Sequence, residues 1–230
     1  MNILAITLAR GGSKSVKNKN IRLLGGIPLI AHTINETKKS KYISDYIVST
    51  DSKEIAETAK EYGAEVPFLR PPELAKDTSS SVSALKHAVD FMEKKNSIVY
   101  DIIVETMCTN PFKKVEDIDS CIKKIIDTGA DSVIAVHQLW DHHPARIKKI
   151  EDDLIVDFFP EPNEARRQDL IPSAFIRSGS IYVMRREYLM MKGLRYGGSN
   201  SRPYVLDEDR VVNIDNEMDF QLAELLINNS

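Results

Sequence analysis

From Leu8 to Asn20 the chain reads Leu-Ala-Arg-Gly-Gly-Ser-Lys-Ser-Val-Lys-Asn-Lys-Asn, with one arginine, three lysines and no acid. Gly11 and Gly12 let a backbone approach a phosphate closely. Arg10 can grip a phosphate through two parallel N–H groups, while Lys14 and Lys19 act as point charges. Ala9, Ser13 and Asn20 complete the set of polar and backbone groups around them. The apolar run Ile3–Leu8 precedes this loop and reads as a buried strand. Open α/β sheets bind ligands at the carboxyl ends of their strands, and N–H groups with cations there suit a polyphosphate. A solvated basic loop is the plain alternative. The sequence has neither G-x-x-x-x-G-K-[ST] nor G-x-G-x-x-G, so a P-loop and a dinucleotide fingerprint are both disfavoured.

A second pattern with chemistry in it is Asn213-Ile214-Asp215. Residues two apart on a strand share a face. Asn213 and Asp215 can then share one Mg²⁺, with phosphate oxygens and water filling its shell. Both residues can equally end a strand and begin the last helix. His142-His143 has no Cys or His partner at zinc spacing and is expected to shape a turn before Pro144. Ser178-Gly179-Ser180 lacks the G-x-S-x-G hydrolase elbow.

The elements that must hold these residues alternate. Strands are predicted at Ile3–Leu8, Tyr46–Thr50, Glu65–Phe68, Asp101–Thr106 and Ser132–Val136. Helices are predicted from Pro28 to about Ser40, after an Asp51 or Ser52 cap with Glu54 placed for a capping box up to Gly63, over Ser83–Lys94, and over Val115–Asp127 up to Gly129. This rhythm predicts a parallel sheet covered on both faces. It breaks after His137. Ala145–Ile150 and Leu154–Phe159 read as a hairpin, followed by a proline-bearing stretch to Pro172. Strands resume at Ala174–Met184 and Val211–Asp215. A last helix, Glu217–Asn228, is expected to bury Met218, Leu222, Leu225 and Leu226.

With 230 residues, 42% hydrophobic and 28% charged, the chain suits one globular domain, residues 1–230, with an insert at about 140–172. A net charge of −3 gives no reason to expect nucleic acid as a partner. The two cysteines, Cys108 and Cys121, suggest no disulfide framework. No apolar run is long enough for a membrane span and no secretory leader is evident, so a cytoplasmic location is expected.

Taken in order, Ala9-Arg10-Gly11-Gly12-Ser13-Lys14 with Lys19-Asn20, Val48-Ser49-Thr50-Asp51, Arg70-Pro71-Pro72-Glu73-Leu74-Ala75 with Asp77-Thr78-Ser79-Ser80-Ser81, His142-His143-Pro144, Arg167-Gln168, Gly179-Ser180-Ile181-Tyr182 and Asn213-Ile214-Asp215 resemble the pattern of the acylneuraminate cytidylyltransferases. The first block is the most specific, and the match spans essentially the whole chain. The resemblance implies an α/β fold, a Rossmann-like, mostly parallel nucleotidyltransferase sheet with a small hairpin-containing dimerisation insert. It implies transfer of CMP from CTP to the anomeric hydroxyl of a sialic-acid-like nonulosonic acid by a Mg²⁺-dependent homodimer.

Residue by residue, the resemblance implies phosphate and catalytic roles for Arg10, Lys14, Lys19 and Asp215. Ala9, Gly11, Gly12, Ser13, Asn20, Arg70, Asp77, Ser79, Ser80 and Ser81 would hold the nucleotide. Any of these serines can equally cap the helix that follows. Arg146, Arg167, Gln168, Tyr182 and the Met107 position would meet the sugar, and an arginine fork suits its carboxylate. Surface pairing with Glu161, Glu164 and Asp169 is the competing reading for the arginines. Three positions depart from the family. Met107 stands for a glutamine, Ile176-Arg177-Ser178-Gly179 for Arg-x-Asn-Gly, and Asn213 for an aspartate. The acceptor therefore stays open between a sialic acid relative, a Kdo-like acid and a sugar phosphate, beside a catalytically silent nucleotide-binding module.

Overall fold

Successive side chains of Ile3–Leu8 point to opposite faces, as the strand period requires. In the computed structural model, which describes residues 1–13, 15–161 and 166–229, this segment is strand β1. Two short strands, β2 (Leu23–Leu24) and β3 (Ile27–Pro28), form a tight antiparallel pair leading into α1 (Leu29–Thr37). β4 (Asp45–Ser49), α2 (Lys53–Glu61), α3 (Ser81–Asn96), β5 (Ile102–Thr106), α4 (Val115–Thr128) and β6 (Ser132–Leu139) continue the alternation. An arm then carries the hairpin β7 (Lys148–Glu151) and β8 (Leu154–Asp157). The chain returns through β9 (Ala174–Arg185), α5 (Arg186–Met190), β10 (Ser201–Val205) and α6 (Glu217–Asn228).

The main sheet has the order β10-β6-β9-β5-β1-β4. β1 is parallel to β4 and β5, and β10 to β6, whereas β9 runs antiparallel to both β5 and β6. The mostly parallel α/β sheet expected from the sequence is thus present. One face buries Ile3, Ala5, Ile102 and Val104 against Ile118, Ile122 and Ile125 of α4. The other buries Leu4, Ile6 and Ile103 against Leu85, Val89 and Met92 of α3. Ser52 caps α2 by accepting from the Ile55 N–H at 3.3 Å. Gly129 ends α4 at φ 63°, where a side chain would be strained.

Several local expectations are corrected. Glu65–Phe68 forms no strand, only isolated bridges from Glu65 to Ile47 and from Leu69 to Thr50. Val211–Asp215 lies outside the sheet, and β10 instead occupies the edge. Pro203 in β10 weakens its strand signal, although an edge position tolerates a proline. The hairpin strands are shorter than expected, because Pro144–Arg146 forms a 3-10 turn. Asp152 and Asp153 make the reversal with φ 49° and 65°, the twist a two-residue hairpin loop favours. His143 caps the 3-10 turn through Nδ1, which accepts from Ala145 N at 3.2 Å. In α6 the buried residues are Phe220 and Ala223, while Met218, Leu222 and Leu225 face outward.

Two polar groups brace the loops at the sheet's carboxyl rim. The buried Asp117 carboxylate accepts from Lys114 N at 2.9 Å, the Tyr204 hydroxyl at 3.0 Å and Arg210 Nη1 at 2.5 Å. It thereby joins α4 to β10 and to the segment leading into α6. Lys113 is fully buried after β5, with Nζ donating to Thr33 Oγ1 at 2.7 Å and to the Asn110 carbonyl. Burial pulls its pKa down to about 7.

Asp117→Ala takes away the buried acceptor shared by the Lys114 N–H, the Tyr204 hydroxyl and Arg210, and leaves Arg210 paired at the surface with Asp207, so urea denaturation should show a loss of about 3 kcal/mol. A loss under about 1 kcal/mol, as for a surface pair, would show the brace to be dispensable. Lys113 releases its proton on folding between its ordinary value of 10.5 and about 7. The unfolded chain binds more protons in that window, so this contribution to stability rises with pH. The stability of the wild type minus that of Lys113→Met should climb from pH 7 to 10 by at most about 1.4 kcal/mol per pH unit. A difference that stays flat over that window would show that Lys113 keeps its charge when folded.

Candidate functional site

The carboxyl ends of β1 and β5 open onto a cleft of ≈ 290 Å³. Its lining brings together Arg10, Ser13, Lys19, Asn20, Arg70, Asp77, Ser79, Ser80, Ser81 and Met107 from the sequence reading. Lys14 lies outside the described residues. Ala9 is buried behind the lining, its N–H donating to the Ser49 carbonyl at 3.0 Å. Gly11 lines a small adjoining hollow, and its N–H donates to Asp51 Oδ1 at 3.0 Å. A Cβ on Gly11 would stand 3.0 Å from Ser52 Cβ, so glycine permits this close approach of the loops. Gly12 is exposed with open space around it.

The loop after β1 is held in shape by its own polar groups. Asn20 Nδ2 donates to the Arg10 carbonyl at 2.9 Å. Its Oδ1 accepts from Cys108 Sγ at 3.0 Å. Burial pushes the Cys108 thiol pKa up, leaving a neutral donor. Arg10 Nη1 reaches Asp77 at 2.6 Å across the cleft mouth. Arg70 is buried, with Nε and Nη2 donating to Ser49 Oγ and O at 3.2 and 2.5 Å. Burial lowers its pKa, and Asp51 opposes the shift. Arg70 therefore braces its loop as well as lining the cleft. Ser80 caps α3 by accepting from Ser83 N at 3.1 Å, and Ser79 Oγ donates to the Glu73 carbonyl at 2.7 Å. The capping reading and the lining position coexist.

Lys19 connects this cleft to the last segment. Its Nζ donates to the Ile214 carbonyl at 2.7 Å and lies 3.7 Å from Asp215 Oδ1. Asp215 is 68% exposed at its side chain, and Asn213 Nδ2 donates to its Oδ2 at 2.6 Å. Asp219 Oδ2, in the capping box of α6, accepts from the N–H groups of Asp215 and Asn216 at 2.8 and 2.9 Å. Among the described residues no group of three or more His, Cys, Asp or Glu forms a cation cage. One carboxylate and one adjacent amide suit instead a cation that takes the rest of its shell from phosphate and water.

The arm residues are placed elsewhere. Arg146 and Arg167 both approach Asp141 Oδ1, at 3.6 and 2.8 Å, and Gln168 is exposed beside them. Tyr182 is buried opposite Glu105 in the β5–β9 ladder. Glu105 itself was not singled out by the sequence reading. It lines the cleft, is 1% exposed, and pairs with Arg195 Nη1 at 2.5 Å. Burial pushes its pKa up, with Arg195 acting against the shift. Its signal was a lone acid in the apolar strand Ile102–Thr106.

The chain matches the cytidylyltransferase family pattern over residues 4–192. It is 31% identical to the CMP-N,N'-diacetyllegionaminic acid synthase of Campylobacter jejuni, over 98% of this chain and 94% of that one. The enzyme of the same name from Legionella pneumophila is 33% identical, over 99% and 97%. A solved CMP:2-keto-3-deoxy-manno-octonic acid synthetase, complexed with CTP, superposes with a TM-score of 0.74 at 15% identity, covering 100% and 99% of the two chains. That likeness shows the shared fold. By its family match and by these relatives, the chain belongs to the cytidylyltransferase family.

Proposed function

We propose that this enzyme transfers CMP from CTP to the anomeric hydroxyl of a nonulosonic acid and releases pyrophosphate. The observation that carries the reading is the convergence of Arg10, Lys19, Asn20 and Arg70 on one cleft at the rim of a nucleotidyltransferase sheet. The hydroxyl oxygen bonds to the α-phosphorus and releases its proton to solvent as the bridging bond to the β-phosphate breaks and pyrophosphate leaves. Such a step needs positioning and charge stabilisation more than covalent catalysis. Arg10, Lys14 and Lys19 hold the leaving pyrophosphate, and Arg10 exchanges Asp77 for phosphate oxygens. The loop from Arg70 to Ser81 holds the pyrimidine and ribose through directed hydrogen bonds.

Asp215 and Asn213 would hold Mg²⁺, which when bound supplies positive charge beside the phosphate oxygens. Met107, Tyr182, Arg146, Arg167 and Gln168 make the sugar end. The region 140–172 acts as a dimerisation arm. Its hairpin exposes Ile150, Leu154, Ile155 and Phe158, and an isolated two-stranded hairpin is marginal in water. A reaction that consumes CTP places the enzyme where CTP is made, in the cytoplasm. No helix among the described residues is long and apolar enough to cross a membrane.

Folded protein mixed with CTP, Mg²⁺ and a panel of nonulosonic acids should release pyrophosphate. Silence with every acid would overturn the reading, and turnover with a sugar phosphate instead would redirect it. Arg10→Ala should lower kcat by roughly a hundredfold, and a near-normal rate would make the loop structural only. Ile155→Asp should shift the sedimenting species from dimer to monomer, whereas an unchanged dimer would remove the arm from the interface.

A further inference from the structure

At Glu105 the cleft wall meets a group of aromatic and basic side chains of which the reading above uses only Tyr182. Arg195, gripped by Glu105, lies over the Tyr182 ring at 4.7 Å and 5.8 Å from the Tyr196 ring centre. Arg177 lies over the same Tyr196 ring at 4.4 Å and donates to its hydroxyl. The two tyrosine rings are 5.7 Å apart. Two guanidiniums thus share this aromatic floor with one acid, Glu105, which is already spent on Arg195. Among the described residues Arg177 pairs with no carboxylate, and it is exposed.

Its place in the sheet matters. Along β9, Tyr182 stands opposite Glu105, and the Ser180 carbonyl accepts from Met107 N at 2.8 Å. Arg177 comes three residues before Ser180, past the carboxyl end of β5, and stacks on the Tyr196 ring beside Tyr182, the residue directly opposite the cleft-lining Glu105. A planar fork on an aromatic face recognises a carboxylate bidentately. Arg146 and Arg167, by contrast, already share the carboxylate of Asp141.

We propose that Arg177 binds the carboxylate of the acid acceptor, and that Arg195, locked by Glu105, is a positioning residue that fixes the tyrosine floor beneath it. The proposal rests on the acceptor class stated above.

The test separates carboxylate recognition from turnover. Calorimetry would compare N-acetylneuraminic, N,N'-diacetyllegionaminic and pseudaminic acids with their methyl esters, on wild type, Arg177→Met and Arg177→Lys. The wild type should prefer at least one acid over its ester by roughly tenfold or more. Arg177→Met should erase that preference with CTP affinity held within about twofold, and Arg177→Lys should keep part of it. Equal binding of acid and ester by the wild type, no binding of any acid, or a preference retained in Arg177→Met of normal melting temperature would overturn the proposal. Pyrophosphate release, followed in parallel, reports on the cytidylyl transfer reading alone. Loss of one result with survival of the other shows which of the two has failed.

Discussion

One nearly buried ammonium holds the basic end of the cleft together. Lys19 donates to the Ile214 carbonyl and lies near the Asp215 carboxylate. A buried ammonium without partners costs several kcal/mol, so the loop after β1 and the segment before α6 are tied despite 195 residues of separation. The Ile214 N–H extends the tie by donating to the Thr109 carbonyl at 2.8 Å. Three loops from distant parts of the chain therefore meet at one node. The positions of Arg10, Asn213 and Asp215 relative to one another all descend from it.

Around that node the charges are arranged to be exchanged. Arg10 and Asp77 are both about half exposed, and exposed pairs of this kind contribute about 0–1 kcal/mol. Asp77 keeps the guanidinium aimed across the cleft mouth but holds it weakly. The Arg70 and Glu105 charges differ. Both are buried and fixed by short contacts, to Ser49 and Arg195 respectively. They shape the walls, while the half-exposed groups stand at the cleft mouth.

The parts legible in the sequence were those written locally. Ile3–Leu8, Val115 with Gly129, and Glu217–Asn228 carry their own periodicity and end signals, and the basic loop after β1 is contiguous. What escaped was set by tertiary context. Pro203 disguised β10, which survives as an edge strand beside β6. Of the four apolar residues of α6 expected inside, only Leu226 packs on the node around Val212 and Ile214, which otherwise takes Phe220 and Ala223. The Glu105–Arg195 pair spans 90 residues, and Arg195 sits in a glycine-bearing loop with no pattern of its own. The roles of Ser79 and Ser80 were ambiguous in sequence because one hydroxyl can serve both a helix end and a cleft wall.

The reversed strand β9 has a consequence for how such an enzyme changes. Because it runs against β5 and β6, its first residues emerge at the rim where the parallel strands end. The arm leaves the sheet from the end of β6 and re-enters at the start of β9, so both its roots lie on that rim. Insertions, deletions and substitutions in the arm thus fall on the rim beside the cleft while the loop after β1 keeps its frame. A lineage can therefore rebuild this flank by editing a single contiguous stretch of gene, with the basic loop after β1 carried along unaltered.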